Sequence, residues 1–413
     1  MELKLAKKNK YIWKIGEALP TIDDHSLVKL NILERYLEIY LKFLTKNCFM
    51  SNLKLTIIDG FAGGGIYKNN ITGSPLRIKQ AVEKAKKIIQ FERESNNCRA
   101  VTFDIDYKFI ERNKDTFTFL KQALVDYDFY CSKTECILGR FSSNLDQLIQ
   151  GIKDKGRAER SIFILDQYGY ADAPVKDIKK IFLNLKKAEV ILTFSIDSLI
   201  DYLSRFNYKI LENLGLSKDD IEVILDVRED NEFTRSKIQP ILYKIIVAET
   251  QAPYYTPFFI KSDVSNRAYW LFHFSTHPTA RDEMIKLHWD EQNTFQHFGR
   301  AGLKMLLGYN SDYKENLFEF DDFAKEKSIK TLQEELPELI YNVKEVSFGH
   351  LKNAIINETP ATVDFIKQSL TPSMDSGEII VKASDQKTLR KRGTTIQDDD
   401  IIKWTHRKQT FLF

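Results

Sequence analysis

The chain has 413 residues, with 61 Lys and Arg against 58 Asp and Glu, so its net charge is only +3. This near balance excludes a basic nucleic-acid tail or an acidic solvating segment as its dominant character. Hydrophobic residues make up 43% of the sequence, enough for folded cores, and the length predicts two or three domains. No apolar run approaches the roughly 20 residues that cross a bilayer, and no signal core opens the chain. We therefore expect a soluble, cytoplasmic protein without membrane contact.

The first predicted element is an amphipathic helix, within an N-terminal helical segment of residues 1–50. Leucines recur at three-and-four spacing over residues 26–45, which places them on one face of a helix. Asp23 and Asp24 stand just before this periodic stretch and are capping candidates.

Short apolar runs alternating with helical stretches follow. The run 53–58 ends on Asp59 and passes directly into glycines, which is typical of a buried parallel strand that feeds a tight loop. The second strand is predicted at residues 100–105. The remaining strands are predicted at CILGRF, SIFILD, EVILTFS, YYTPFFIK and RAYWLFHFS, the last two after a helical insertion at about 198–250. This order predicts an α/β, Rossmann-like seven-stranded sheet over residues 51–310.

The character of the sequence changes from about residue 320 onward. Helical stretches are followed by the strand-like GEIIVKAS and a polar turn, KTLRKRGTT, which together predict a winged-helix-like module over residues 320–413. The possible wing holds the basic residues Lys387, Arg390, Lys391 and Arg392, and phosphate contacts need such clusters. Residues 321–413 nevertheless hold 14 basic and 15 acidic residues, so a solvated face of mixed charge is the alternative.

The four cysteines carry no recognisable metal-site or disulfide spacing. Cys48, Cys98, Cys131 and Cys136 form no CxxC pair and have no His nearby at a metal-ligand spacing. Buried, reduced thiols are therefore predicted in preference to zinc ligation or disulfides, and no metal site is expected.

The glycine cluster after the first strand is a candidate ligand loop. Glycines let the backbone turn sharply and approach a ligand closely. The loop contains no GKS or GKT, and the charge of Asp59 would repel a pyrophosphate. A carboxylate there suits a cationic ligand such as the amino group of S-adenosylmethionine. A glycine-rich turn without a ligand is the alternative.

Asp104 stands near the predicted end of the second strand. An acidic side chain there accepts hydrogen bonds from ribose hydroxyls in Rossmann-like folds. Asp106 competes for this role, and either residue could instead be a solvated carboxylate at a strand end.

The fourth predicted strand ends in the sequence DQYGY, residues 166–170, on the edge where an open sheet binds its ligands. Asp166 and the backbone carbonyl of Gln167 could accept both protons of an exocyclic amine and so orient its nitrogen. Tyr168 or Tyr170 could stack on the base that carries the amine. A carboxylate that caps the next helix, with core tyrosines beside it, is the alternative.

Together these segments resemble a known family. His25 with Lys29, IDGFAGGGIY at 58–67, GSP at 73–75 and DQYG at 166–169 resemble the three-Cys-motif partner proteins, TcmP, over most of residues 20–300. That family is similar to the class I S-adenosylmethionine-dependent methyltransferases, and its front part resembles the ribosomal-RNA adenine-N6 methyltransferases. Those methyltransferases usually carry Asp-Pro-Pro-Tyr, and TcmP proteins Asp-Pro-Tyr-Gly, where this chain has Gln167.

The resemblance implies S-adenosylmethionine as cofactor and Asp166 at the acceptor amine. In the related enzymes the first helix lies over the cofactor, so Lys29 is a further candidate, although a solvent-facing Lys is equally compatible with the sequence. The predicted donor-binding residues are Lys29, Asp59, Gly60, Phe61, Gly63, Gly65 and Asp104.

Three functions follow as hypotheses. The first is transfer of a methyl group to an amino group of a nucleic-acid base, in RNA or DNA. The second is a non-catalytic partner subunit in a defence or mobile-element system, associated with a three-Cys-motif protein, which the altered DQYG motif favours. The third, nucleotide hydrolysis, lacks a metal constellation in the sequence.

Overall fold

The structure is a computed structural model. It describes residues 11–156, 159–167, 172–195, 199, 211–212, 217–229, 235–261, 268–290, 296–297, 301–305 and 318–405. Residue contacts divide the chain into two compact units. The first unit comprises Met1–Glu229, Lys244–Pro253 and Ile260–Thr276, and the second comprises Asp230–Tyr243, Tyr254–Phe259 and His277–Phe413. The domain boundaries predicted from the sequence stay predictions.

The largest sheet has seven strands. They are β1 (Asn52–Asp59), β2 (Thr102–Glu111), β3 (Thr134–Leu138), β4 (Arg160–Asp166), β5 (Lys187–Phe194), β6 (Tyr254–Lys261) and β7 (Ala268–Ser275). The strand order is β3-β2-β1-β4-β5-β7-β6, with parallel pairing from β3 to β5 and an antiparallel β7 beside β5. The predicted Rossmann-like, seven-stranded α/β class is confirmed.

Helices connect these strands. They are α1 (Asp24–Leu44), α2 (Ser74–Ser95), α3 (Lys114–Asp126), α4 (Phe141–Asp154), α5 (Val175–Asn184), α6 (Lys218–Glu229), α7 (Arg235–Thr250) and α8 (Pro278–Asp290). Helices α6 and α7 lie in the predicted helical insertion, and the rest of that insertion is largely outside the described residues. From Leu53 to Asp59, nearly every side chain of β1 is buried, as expected of a central parallel strand covered on both faces.

The second strand differs from its prediction. It was expected at residues 100–105, whereas β2 extends from Thr102 to Glu111. Asp104 pairs in register with Lys54, near the start of β1, and therefore lies toward the amino end of the sheet. Charged residues within TFDIDYK suggested an early strand end. Strand β2 accommodates these charges because Asp104 and Lys108 form ion pairs at the surface.

Two of the four cysteines form a disulfide, so the prediction of reduced thiols was wrong for them. Cys48 precedes β1 and Cys98 precedes β2, and their sulfurs are bonded across a separation of 50 residues. The same loops are held by Arg93, whose guanidinium donates hydrogen bonds to the carbonyls of Thr45, Asn47, Cys48, Met50 and Arg99. Cys131 and Cys136 are free thiols as predicted, but Cys131 is exposed and Cys136 only half-buried.

The C-terminal elements form a small helical unit with a three-stranded sheet. Two short strands, β8 (Gln296–His297) and β9 (Phe318–Glu319), pair with each other before it. In chain order the later elements are α9 (Asp322–Val343), β10 (Glu345–Ser347), α10 (Phe348–Ile355), α11 (Val363–Ser369), α12 (Thr371–Asp375), β11 (Ile379–Lys382) and β12 (Ile401–Trp404). The antiparallel order is β10-β12-β11, and residues 383–400 form the connection between β11 and β12. The core includes Leu332, Leu336, Phe348, Ile366 and Ile402. This arrangement confirms the predicted winged helix, and we call residues 383–400 the wing.

Candidate functional site

Three acidic side chains meet at the carboxyl edge of the seven-stranded sheet. Asp59 ends β1, Glu111 ends β2 and Asp166 ends β4. The pairing registers place Asp59 level with Phe109 and Ile164, so Glu111 and Asp166 extend past it at the same edge. In open α/β sheets, ligands bind at this edge.

Asp59 is fully buried, and its carboxylate is incompletely satisfied. The Phe61 N–H donates a hydrogen bond to Oδ1 at 3.1 Å, and Oδ2 has no partner within hydrogen-bond distance in the described part of the chain. Burial raises the pKa of Asp59 to about 7, and the nearby charges of Asp166 and Glu111 act in the same direction. The Ser74 hydroxyl is a neighbouring donor that, like the Phe61 N–H, lowers the pKa of this carboxyl group. Such a group gains from a neighbouring cation that also supplies a hydrogen-bond donor.

Glu111 lies next to the glycine loop. Its Oε2 accepts a hydrogen bond from the Gly63 N–H at 3.1 Å, and its Oε1 accepts one from the Asn113 N–H at 2.7 Å. Burial raises the pKa of Glu111. No sequence prediction named this residue, because the predicted second strand ended before it.

Asp104 is separated from this edge. Its Oδ1 accepts a hydrogen bond from Lys133 Nζ at 2.6 Å, and this contact lowers the pKa of Asp104. The competing candidate, Asp106, forms ion pairs with Lys133 and Lys155. Neither residue occupies the strand-end position from which the ribose role was predicted, and Glu111 does.

The glycine loop is shaped partly by packing within the chain. Gly63 and Gly65 have φ values of 60° and 80°, in the left-handed region that favours glycine. At Gly60, a Cβ would lie 2.7 Å from Leu165 Cδ2, so this glycine permits close contact with β4. Backbone conformation and packing within the chain therefore explain these glycines, and the close approach of a ligand would explain them equally well.

Trp13 covers one side of the glycine loop and was not singled out from the sequence. A Cβ on Gly64 would lie 2.3 Å from Trp13 Cγ, so the ring requires glycine at that position. The Trp13 indole N–H donates a hydrogen bond to the Ile66 carbonyl, and its backbone N–H donates to Thr116 Oγ1 at 3.3 Å. The N-terminal segment thus fixes the loop on this side.

Lys29 lies beside Asp166, at the end of β4. Its Nζ is 2.5 Å from Asp166 Oδ1, and the side-chain exposures are 11% for Lys29 and 38% for Asp166. The alternative of a solvent-facing Lys29 is therefore wrong. The side chain of His25 lies outside the described residues.

Gln167 directly follows β4 and binds the backbone of Asp172 and Ala173. Its buried side chain accepts hydrogen bonds at Oε1 from the N–H groups of Asp172 and Ala173, both at 3.0 Å. Asp172 also forms an ion pair with Arg112, which follows Glu111, at 2.9 Å. The hydrogen bonds that the Gln167 side chain accepts thus hold the Asp172 and Ala173 backbone, at a position where related motifs have proline. Tyr168 and Tyr170 lie outside the described residues.

Two further observations bear on the site and on the surroundings of the protein. Among the side chains that the structure describes, no group of three or more His, Cys, Asp and Glu residues could hold a metal ion. None of the described helices is both long and apolar enough to cross a bilayer.

Comparisons with known proteins give one family match. Residues 308–386 match the GMT-like wHTH domain family. Comparison with curated proteins gave no match. Similar solved structures include M. jannaschii TYW2 in complex with AdoMet, at 12% identity, covering 61% of this chain and 76% of that chain with a TM-score of 0.27. Another is a SAM-dependent methyltransferase from Agrobacterium tumefaciens, at 10% identity, covering 62% and 63% of the two chains with a TM-score of 0.29.

The strand order with an antiparallel β7, and the glycine loop after β1, define a Rossmann-like α/β fold. The C-terminal elements form a winged helix, and residues 308–386 are similar to the GMT-like wHTH domain family.

Proposed function

We propose that this chain binds S-adenosylmethionine at the carboxyl edge of the sheet and methylates an exocyclic amino group of a nucleic-acid base. The observation that carries this proposal is the buried Asp59 at the glycine loop, whose Oδ2 makes no hydrogen bond within the described residues and has the Ser74 hydroxyl as its neighbouring side-chain donor. A cationic amino group would supply both the missing donor and the compensating charge.

On the donor side, Asp59 would hold that amino group, and the backbone of Gly60, Phe61, Gly63 and Gly65 would line its approach. Glu111 takes the ribose role that was predicted for Asp104, because Glu111 is the acidic side chain at the carboxyl end of β2. When bound, S-adenosylmethionine would supply a methyl group on a cationic sulfur and be left as the neutral thioether, and the acceptor amine would release one proton to Asp166 or to solvent.

On the acceptor side, Asp166 would accept hydrogen bonds from the amine and orient its lone pair. The Lys29 ammonium is paired with Asp166 and would have to share or yield one carboxylate oxygen to the amine. The Gln167 side chain binds the N–H groups of Asp172 and Ala173, and its backbone carbonyl is the second proposed acceptor. Tyr168 or Tyr170 would stack on the base.

Substitutions at matched carboxylates test the proposal. Asp59→Asn should lower the affinity for S-adenosylmethionine at least tenfold in calorimetry, since a charge-assisted hydrogen bond contributes roughly 1.5–3 kcal/mol. The matched control, Asp104→Asn, removes a carboxylate at the other end of the sheet and should leave the affinity unchanged. Equal donor affinity in wild type and Asp59→Asn would reject the site.

The acceptor role is tested separately from donor binding. Asp166→Asn should retain donor binding and remove methyl transfer to a pool of DNA and RNA, measured with a methyl-labelled donor. Trp13 fluorescence gives an independent readout, because its ring lies against the glycine loop and should respond to a donor bound there. An Asp166→Asn protein with full transfer activity would exclude this residue from the reaction.

A second candidate function is a partner subunit that keeps the fold without transferring methyl groups. The observation that favours it is the Lys29–Asp166 ion pair, which occupies an oxygen that an amine would need. The resemblance to TcmP proteins makes a three-Cys-motif protein the proposed partner. Co-purification of a stable partner, together with undetectable transfer to DNA, RNA and protein, would select this function.

A further inference from the structure

A buried polar network lies away from the candidate site, toward the amino end of the seven-stranded sheet. It consists of Tyr36, Glu189 and His273, which are 1%, 6% and 1% exposed. The Tyr36 hydroxyl donates a hydrogen bond to Glu189 Oε2 at 2.5 Å, and His273 Nε2 lies 3.0 Å from the same oxygen and 3.1 Å from the hydroxyl. Buried polar groups destabilise a fold unless they bond one another, and apolar side chains of similar volume would pack there at least as well. The network therefore indicates a role beyond packing.

The network connects three elements of the first unit. Tyr36 lies on α1, Glu189 near the start of β5, and His273 on β7, which is antiparallel to β5. His273 pairs in register with Ile191, two positions after Glu189, so the side chains of Glu189 and His273 lie on the same face of the sheet. The Tyr36 hydroxyl therefore attaches α1 to two neighbouring strands at once.

The same helix carries Lys29, which contacts the candidate site. Lys29 Nζ lies 2.5 Å from Asp166 Oδ1. Lys29 lies about two turns before Tyr36, so the two side chains share a face of α1 and are separated by about 10 Å along its axis. On the sheet, Asp166 pairs in register with Thr193, which lies about 13 Å beyond Glu189 along β5. The two contact points on the helix thus match the two on the sheet in spacing.

The ion pairs between α1 and α2 are less able to fix the position of α1. In the described residues these pairs are Glu34–Arg77, Glu38–Lys84 and Lys42–Glu92, and each includes a partly or well exposed side chain. Exposed ion pairs contribute little, and apolar packing is non-directional. A buried hydrogen bond is directional, so the Tyr36 hydroxyl is the contact best suited to set where α1 lies along the strands.

We propose that Tyr36, Glu189 and His273 are positioning residues, whose network sets the place of α1 on the sheet and thereby holds Lys29 on Asp166 Oδ1. With Oδ1 occupied, Oδ2 is the oxygen that remains to face an acceptor amine, and its direction is fixed. This inference rests on the proposed role of Asp166 and names the distant contact that orients it.

The experiment measures how fast acetic anhydride labels Lys29 in the full chain, with peptide mass spectrometry as the readout. A lysine reacts as the free amine, so an ion pair protects it. Asp166→Asn removes the pair and gives the labelling rate of an unpaired Lys29. Tyr36→Phe should raise the labelling rate of Lys29 on the order of tenfold toward that reference, because loss of one partner from a buried hydrogen bond shifts an equilibrium by about this factor.

Tyr40→Phe is the matched control. Tyr40 is buried about one turn further along α1, and its ring stacks on that of Tyr36 with 6.1 Å between the centroids. Within the described residues, the structure records no hydrogen bond of the Tyr40 hydroxyl. This variant removes the same atom from the same pair of rings and should leave the labelling of Lys29 unchanged. Lys42, near the far end of α1, is the internal reference and should react equally in every variant.

Substitutions of Glu189 separate positioning from general stability. Glu189→Gln retains a side-chain oxygen that can accept the hydrogen bond from Tyr36, whereas Glu189→Leu does not. The Gln variant should keep Lys29 protected and the Leu variant should expose it, with thermal melts showing that each is folded. These two variants decide the question by themselves if Tyr36→Phe does not fold.

Methyl transfer gives a second readout. Tyr36→Phe should lower kcat and leave the affinity for S-adenosylmethionine in calorimetry unchanged, because the proposed role of Asp166 concerns the acceptor and not the donor. A loss of donor affinity equal to the loss in kcat would contradict a role through Lys29 and Asp166.

Other outcomes would also overturn the inference. Unchanged labelling of Lys29 in a folded Tyr36→Phe protein would show that the network does not hold the Lys29–Asp166 pair. An equal rise in Tyr40→Phe, or an equal rise at Lys42, would indicate a general loosening of α1. If wild type transfers no methyl group but Tyr36→Phe still exposes Lys29, the positioning role stands and the proposed activity is rejected.

Discussion

Acidic residues lie at both ends of the seven-stranded sheet, but their surroundings differ. At the amino end, Asp104 and Asp106 are paired with lysines at the surface, and a disulfide joins the segments that lead into β1 and β2. At the carboxyl edge, Asp59 is buried and the structure records no ion pair for it within the described residues. An acidic residue at a strand is therefore uninformative by itself; its burial and its unmet hydrogen-bonding capacity mark the site.

The largest expected effect is a loss of stability on removing Trp13, which covers the glycine loop at the carboxyl edge. Trp13→Ala removes a buried ring from the glycine loop and should lower the free energy of unfolding by about 3–5 kcal/mol, as for other buried aromatic residues. Urea denaturation measures this change. Ile15→Ala, at an exposed position of the same segment, is the control and should have little effect. Equal losses in the two variants would contradict the described packing of Trp13.

The pH dependence of stability should have opposite signs at the two ends. The pKa of Asp59 is raised to about 7, so its contribution is fully present near pH 4 and is lost as the pH rises through about 7. A shift of about three units corresponds to about 4 kcal/mol. The pKa of Asp104 is lowered, so its small, solvent-screened contribution is lost instead as the pH falls below about 4.

Denaturation at pH 5 and pH 8 separates these effects. Wild type should lose stability between the two values, and Asp59→Asn should lose less. Asp104→Asn should retain the wild-type difference. An unchanged difference in Asp59→Asn would mean that Asp59 does not titrate in this range.

Removing the disulfide should lower the stability of the protein and leave donor binding at the site unchanged. Replacing Cys48 and Cys98 by Ser should lower the free energy of unfolding by about 2–4 kcal/mol, because the bond closes a loop of 50 residues in the unfolded chain. The donor affinity should be unchanged, since both cysteines precede the strands whose far ends form the site. Replacing Cys131 and Cys136 by Ser is the control. If the affinity for the methyl donor fell when the disulfide was removed, the amino end and the carboxyl edge of the sheet would not be independent.

The sequence predicted the sheet and the glycine loop well because both depend on local patterns. A continuous apolar run that ends on Asp59 and enters glycines has few alternatives to a buried parallel strand. The end of β2 was misplaced because charges inside TFDIDYK resemble the end of a strand. Ion pairs across to Lys133 and Glu135 allow the strand to continue, and these partners are distant in sequence.

By itself, the sequence determined the α/β class, the winged helix and the presence of carboxylates at Asp59 and Asp166, since periodicity and strand-ending motifs are local properties. Only the tertiary structure decided that Glu111 reaches the site, that Trp13 covers the loop, that Lys29 pairs with Asp166 and that Cys48 bonds to Cys98. Each of these depends on which segments the fold brings together over tens of residues, and hydrophobic patterning does not specify those side-chain contacts.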